Sequence, residues 1–182
     1  MPALILALER VATPLGQMLI LTDAQQRLRA VDWEDYEARM HTLLRRQYGK
    51  NAVRLDTAGQ PSRARRALEA YFDGELAAID GFPVALGGTE FQRQVWQALR
   101  GIAGGQTVTY GTLAHRIERP SAVRAVGLAN GANPAGIVIP CHRVIGANAS
   151  LTGYGGGLHR KRWLLEHEAR HAPAGGPSST PG

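Results

Sequence analysis

Runs of branched and aliphatic residues at 4–8, 17–21 and 28–31 come first in this chain, and helical periodicities follow from residue 34 onward. That segregation constrains the fold more than any other feature, because strands gathered ahead of helices point to an α+β arrangement rather than alternating βα units. The turn Thr13-Pro14-Leu15-Gly16 separates the first two strands. Helical patterns at 34–48 and 62–72, the second closed by Asp73-Gly74, complete a small N-terminal α/β unit with a scaffolding role. Residues 81–88, with Pro83 and the Gly87-Gly88 pair, read as a linker. The expected domains are therefore 1–85 and 86–170. Residues 171–182, rich in Pro, Gly and Ser, form a tail expected to be disordered.

The second domain opens on Thr89-Glu90-Phe91-Gln92, a capping box in which the Thr and Gln side chains satisfy each other's free backbone donors. Apolar residues Phe91, Val95, Ala98, Leu99 and Ile102 then predict a helix over about 90–100. After Gly104-Gly105 come a short helix at 110–117 and a third at 121–130, with Ser121 as its N-cap. Two short helices joined by a tight turn fit the helix-turn-helix plan. The third is built from Ala, Val and Gly with one long side chain, Arg124, so its backbone can approach another surface closely: a packed helix or a DNA groove. Asn133-Pro134 ends that segment. Ile137-Val138-Ile139 reads as a buried strand that delivers Pro140-Cys141-His142-Arg143. A glycine-rich loop at 148–157 precedes a final helix at 158–168, with Leu158, Leu164 and Leu165 expected to face inward.

With 182 residues and 44% hydrophobic content the chain can build packed cores. No targeting segment is read at the N-terminus, since the apolar run at 3–8 is too short to span a membrane and meets Glu9 and Arg10 at once; the expected location is the cytoplasm. Charge is unevenly placed. Residues 1–85 hold 11 basic and 11 acidic side chains, whereas residues 86–170 hold 10 basic against 4 acidic, so the net charge of +6 lies in the second half. A concentrated basic excess favours a polyanionic partner, most commonly nucleic acid; a solvated basic surface is the other reading.

The only cysteine, Cys141, sits in that half. It can form neither an internal disulfide nor a cysteine-rich zinc site. A thiol reacts as its thiolate and needs a base or a positive environment. His142 is adjacent, Arg143 follows, and Glu168 is available from the last helix, so a Glu–His–Cys relay can be drawn. Neighbours on a strand point to opposite faces, which a bridging water would overcome. Taken singly, Cys141 also reads as a buried inert thiol, His142 as a core histidine and Glu168 as a solvated residue at a helix end.

Pro140-Cys141-His142-Arg143-Val144, with Asn133-Pro134 upstream and residues 153–157 (GYGGG) and 163–168 (WLLEHE) downstream, resembles the 6-O-alkylguanine-DNA alkyltransferase family, its bacterial Ogt-type members most closely. Over residues 1–85 the resemblance rests on Thr13-Pro14-Leu15-Gly16 and Tyr71-Phe72-Asp73-Gly74. It implies a ribonuclease-H-like N-terminal domain and a helix-turn-helix, winged-helix-like C-terminal domain. It implies direct reversal of damage in double-stranded DNA: the alkyl group of 6-O-alkylguanine or 4-O-alkylthymine passes to Cys141, once per molecule, with no cofactor. The residues carried over are Cys141 as acceptor, His142 as water-mediated base, Glu168 as its orienting carboxylate, Asn133 as a brace and Tyr110 as proton donor to the guanine ring. Arg124 would be the finger entering the duplex, with Ser121, Ala125, Gly127, Asn130 and Gly131 beside it on DNA. Val144, Tyr154, Gly155 and Tyr110 would line the base pocket.

No zinc is expected, because members that bind it use cysteines this chain lacks. The protein is expected to be a monomer that can cluster on DNA, with no membrane partner. Two other readings are a non-catalytic binder of alkyl lesions, against which Cys141 speaks, and a cysteine hydrolase or thiol redox enzyme, which would not need the basic half.

Overall fold

The computed structural model describes residues 2–148, 151 and 153–173, and the chain divides into two compact units, Met1–Gly88 with Pro134–Val138, and Thr89–Asn133 with Ile139–Gly182. The first unit is a four-stranded sheet of β1 (Leu4–Thr13), β2 (Gly16–Thr22), β3 (Leu28–Trp33) and β4 (Val53–Thr57), in the order β3-β2-β1-β4. β2 runs antiparallel to β1 and β3, while β4 adds in parallel to β1 after the helix α1 (Glu37–Tyr48). A parallel neighbour needs a crossover, and α1 supplies it.

Strand alternation sends Leu6, Leu19 and Leu21 to one face, where they form a core with Ala30 and with Met40 and Leu44 of α1. On the other face Val11 and Met18 lie toward Leu68 and Phe72 of α2 (Arg63–Phe72). α2 is tied to the sheet at its start: buried Glu9 accepts from the backbone N of Ser62 at 2.9 Å and from the Ser62 hydroxyl, whose oxygen accepts from Arg65 N at 3.1 Å. The β1–β2 turn is closed by Thr13 Oγ1 donating to Gly16 O at 2.7 Å, with Gly16 at φ 111°, a value that favours glycine.

Residues 81–88 differ from the expected free linker. Leu28 N donates to Pro83 O at 2.9 Å and Ala85 N donates to Leu28 O at 3.0 Å, so this segment covers the open edge of β3. Val31 N donates to Pro134 O at 2.9 Å and covers the same edge further along.

The second unit contains α3 (Glu90–Leu99), β5 (Val108–Thr109), α4 (Tyr110–Arg116), α5 (Val123–Gly131), β6 (Val144–Ile145) and α6 (Leu158–His171). α3 begins with the anticipated Thr89–Gln92 capping box, and its buried Trp96 donates from Nε1 to Ala129 O of α5 at 2.9 Å. β5 and β6 pair in parallel, Val108 with Val144 and Thr109 with Ile145. Thr109 also caps α4 by accepting from Thr112 N at 3.1 Å.

Several details depart from expectation. α5 starts from Ala122 with no side-chain cap, and Ser121 lies exposed ahead of it. Residues 137–139 are not a strand: Ile137 has φ 72° and a turn occupies 137–138, although all three side chains are buried. α6 extends to His171; residues 174–182 of the expected tail lie outside the described residues. Among the described residues no helix is long and apolar enough to cross a membrane.

The Glu9–Ser62 tie predicts that Ser62→Ala costs about 1–2 kcal/mol, since it removes both an N-cap acceptor and a donor to a buried carboxylate. Urea unfolding of the two proteins measures this, and a change within error would show that the tie contributes nothing.

Candidate active site

Cys141 begins a single 3-10 turn, Cys141–Arg143, which leads directly into β6. In such a turn successive side chains splay by about 120° rather than by the half-turn of a strand, which removes the geometric obstacle to a Cys141–His142 relay. The turn is held at both ends. Cys141 N donates to Ile139 O at 2.8 Å and Arg143 N to Pro140 O at 3.0 Å, while β6 is pinned by β5. Asn133 Nδ2 donates to Ile139 O at 2.7 Å, so the residue that ends the α5 segment grips the backbone two positions before the thiol.

All three side chains of the turn are buried, and α6 meets them with a polar face. Residues Arg160, Lys161, Leu164, His167 and Glu168 are its buried positions, at the three-, four- and seven-residue spacings of one helical face. Leu164 lies inward as expected, but Leu158 is 45% exposed. The inward face was read as leucine and is mostly charge.

Glu168 organises the centre. Its Oε2 lies 2.8 Å from His142 Nε2, and its two oxygens accept from Arg143 Nε at 2.9 Å and Nη2 at 2.7 Å. Arg143 Nη1 donates onward to Ile102 O at 2.6 Å. Burial alone would raise the Glu168 carboxyl, but the His142 ring and the Arg143 guanidinium override it and hold Glu168 well below the usual carboxylate range. Burial pushes His142 below its ordinary value of 6.5 despite the pull of Glu168, and the positive charges of Arg143 and Lys161 push the same way.

These directions favour one tautomer. An ionised carboxylate only accepts, so the neutral ring carries its proton on Nε2 and leaves Nδ1 with a lone pair. Nδ1 is buried and has no hydrogen-bond partner among the described residues. A base oriented by a carboxylate on one side and open on the other, on the residue next to the only cysteine, is built to take a proton from a nucleophile.

The other expected residues lie in the same unit. Tyr110 is the first residue of α4, half-buried, with its ring against α5: a Cβ built on Gly127 would stand 3.9 Å from it. On α5, Arg124, Ala125 and Gly131 are exposed together with Leu128, while Asn130 is buried with no partner for its Oδ1 among the described residues. Val144 is buried in β6, Tyr154 is half-buried and Gly155 exposed. Sequence reasoning named Arg143 beside the thiol without anticipating that its guanidinium clamps Glu168, and it missed Lys161, whose Nζ donates to Val144 O at 2.6 Å. The available signal was the seven-residue interval between Lys161 and Glu168.

Two family models cover most of the chain: the ribonuclease-like domain of 6-O-methylguanine DNA methyltransferase matches residues 8–86, and the DNA-binding domain of the same family matches residues 90–170. A Salmonella typhimurium protein named methylated-DNA–protein-cysteine methyltransferase is 54% identical over 160 residues, spanning 88% of this chain and 94% of its own. The solved structure of Mycobacterium tuberculosis OGT in complex with DNA is 40% identical with a TM-score of 0.74, covering 93% of this chain and 96% of that one. The 6-O-methylguanine-DNA methyltransferase of the archaeon Pyrococcus kodakaraensis is 29% identical with a TM-score of 0.68, covering 90% and 98%.

The charge arrangement fixes a pH response. His142 and Glu168 both bind protons less readily in the folded state, so the unfolded chain takes up the excess and stability falls on acidification, beginning below 6.5 and steepening below 4.5, the ordinary values of the two groups. Thermal unfolding measured from neutral to acid pH should trace that decline, and a flat profile would contradict it. Glu168→Gln, which leaves Arg143 buried without its counter-charge, should cost about 3–5 kcal/mol.

Proposed function

This chain belongs to the 6-O-methylguanine-DNA methyltransferase family, and on that premise we propose that it repairs alkylated double-stranded DNA by direct reversal, taking the alkyl group of 6-O-alkylguanine or 4-O-alkylthymine onto Cys141. The observation that carries the reading is the buried Nδ1 of His142, without a hydrogen-bond partner among the described residues and next in sequence to the only cysteine, with Nε2 held by Glu168. His142 Nδ1 takes the Cys141 proton, directly or through a water. The thiolate attacks the alkyl carbon, a carbon–sulfur bond forms, and the carbon–oxygen bond breaks with its electrons leaving on the base. Tyr110 supplies a proton to the guanine ring as that charge grows and is reprotonated through solvent as His142 gives up the proton it took, so in the net the thiol proton is replaced by the alkyl group and the base regains its hydrogen.

The product is a thioether, which has no ionisable proton and no easy leaving group. Each molecule therefore acts once.

A base inside the stack is out of reach, so the nucleotide must be extruded, at a cost of a few kcal/mol that is lowest for a damaged pair. The exposed residues of α5 at 124, 125, 128 and 131 share one face, and two of them, Ala125 and Gly131, are small. That face suits close approach to a minor groove with Arg124 filling the vacated space, flanked by Ser121, Ala125, Gly127 and Gly131. Asn130 belongs to the same DNA-contacting set, with its side chain buried in the free protein. Val144, Tyr154, Gly155 and Tyr110 line the pocket for the extruded base, and Asn133 braces the turn bearing Cys141. Backbone and shape contacts from the basic half suit lesions at any sequence. In this reading residues 1–85 are the scaffold and 86–170 the DNA-binding, catalytic domain; the protein works as a cytoplasmic monomer that can cluster on DNA.

Incubation with duplex DNA bearing 6-O-methylguanine, followed by intact-mass measurement, should add one methyl group in place of one hydrogen and no more, and none in Cys141→Ala. Multiple turnover or no transfer contradicts the reading. Arg124→Ala should lose at least about tenfold more activity on duplex than on a free base analogue, because only the duplex needs extrusion; equal losses would remove the finger from the account.

A further inference from the structure

Lys161 is fully buried at 0% exposure, and nothing in the relay from Cys141 through His142 to Glu168 requires it. Burying an ammonium is expensive unless an opposite charge or several acceptors compensate. Its Nζ donates to the Val144 carbonyl at 2.6 Å, three residues past Cys141 and on the strand that continues the Cys141–Arg143 turn, and a negative charge on Cys141 would favour the ammonium form of Lys161. Of the charged and titratable groups around the thiol, His142 and Arg143 come from its own turn, and Lys161 and Glu168 come from α6. Arg143 is engaged by both oxygens of Glu168 and by Ile102 O. The imidazole is kept neutral by burial.

We propose that Lys161 is a positioning residue whose buried ammonium, anchored on Val144 O, stabilises the Cys141 thiolate and so sets how much of the nucleophile is available at neutral pH. The inference rests on Cys141 being the alkyl acceptor and deepens that reading. α6 then serves the reaction with two charges two turns apart: Glu168 orients the base that removes the proton, and Lys161 stabilises the anion left behind. Lys161 itself gives up no proton in this step; the thiol proton goes to His142 Nδ1. Its hydrogen bond also holds the carbonyl of Val144, so one side chain ties the pocket backbone to the helix that carries Glu168.

Burial pushes Lys161 below its ordinary value, while the thiolate charge pulls the other way. The interaction is reciprocal, so each group should report on the other.

The test is the pH profile of Cys141 carbamidomethylation by iodoacetamide, a small neutral reagent, read by intact mass in the full-length protein. Against wild type, Lys161→Met should react about tenfold more slowly at pH 7, with the gap closing at about pH 10 where both thiols ionise. A rate lowered by the same factor at every pH would mean a packing role only, and identical profiles would mean no role; either overturns the proposal. If Lys161→Met does not fold, the reciprocal measurement decides: the Lys161 Nζ resonance should titrate at lower pH in Cys141→Ala than in wild type, and an unchanged titration overturns the proposal. Methyl transfer from 6-O-methylguanine DNA to the wild-type protein is measured in parallel. Its failure would sink the repair reading while leaving the thiol profiles interpretable, so the two outcomes are separable.

Discussion

The Glu168 carboxylate, held between the His142 ring and the Arg143 guanidinium, is the interaction on which the rest of the second unit depends. Three charged or titratable side chains are buried together there, and each would destabilise the fold if its partners were removed. Arg143 receives both carboxylate oxygens and the Ile102 carbonyl, so the charge of Glu168 is neutralised by a group that cannot itself lose a proton. That frees the imidazole from acting as a permanent counter-ion. His142 can stay neutral, with Nε2 donating and Nδ1 open.

Placing that carboxylate needs most of the local architecture. α6 brings Glu168 in from the far end of the chain, and the short β5–β6 pairing fixes the exit of the Cys141–Arg143 turn. Asn133 fixes its entrance through Ile139 O. Trp96 ties α3 to α5, and Thr109 caps α4 at the point where Tyr110 emerges. Aliphatic side chains such as Val95, Leu99, Val144 and Leu164 fill the unit, and directed hydrogen bonds add the positional specificity that hydrophobic contact alone does not supply.

Much of the frame was legible because its signals are local. Thr89 with Gln92 announces a helix start through side-chain chemistry that acts within one turn, and Ser62 and the Thr13–Gly16 turn are of the same kind. β4 was missed because its sequence, VRLDT, alternates with charged Arg54 and Asp56 on the open side, so little apolar character remains to mark an edge strand. The run at 137–139 was read as a strand from its branched residues, whereas Ile137 adopts a left-handed backbone conformation that no propensity favours. Ser121 was a reasonable cap by type, but the chain enters α5 one residue later. At the site, Cys141, His142 and Glu168 could be picked out, since the types fit a relay. Arg143 could be named next to the thiol but not as the partner of Glu168, and Lys161 could not be named at all, because charged residues are ordinarily solvated and only the fold reveals that these two are buried.

The account turns on His142 being a neutral base with its proton fixed on Nε2 by Glu168. Nitrogen-15 NMR of the histidine ring in the unalkylated protein reads this directly. At neutral pH the account predicts a protonated Nε2 and an unprotonated Nδ1, persisting below the ordinary histidine value of 6.5. A proton on Nδ1, or a doubly protonated ring at neutral pH, would contradict it.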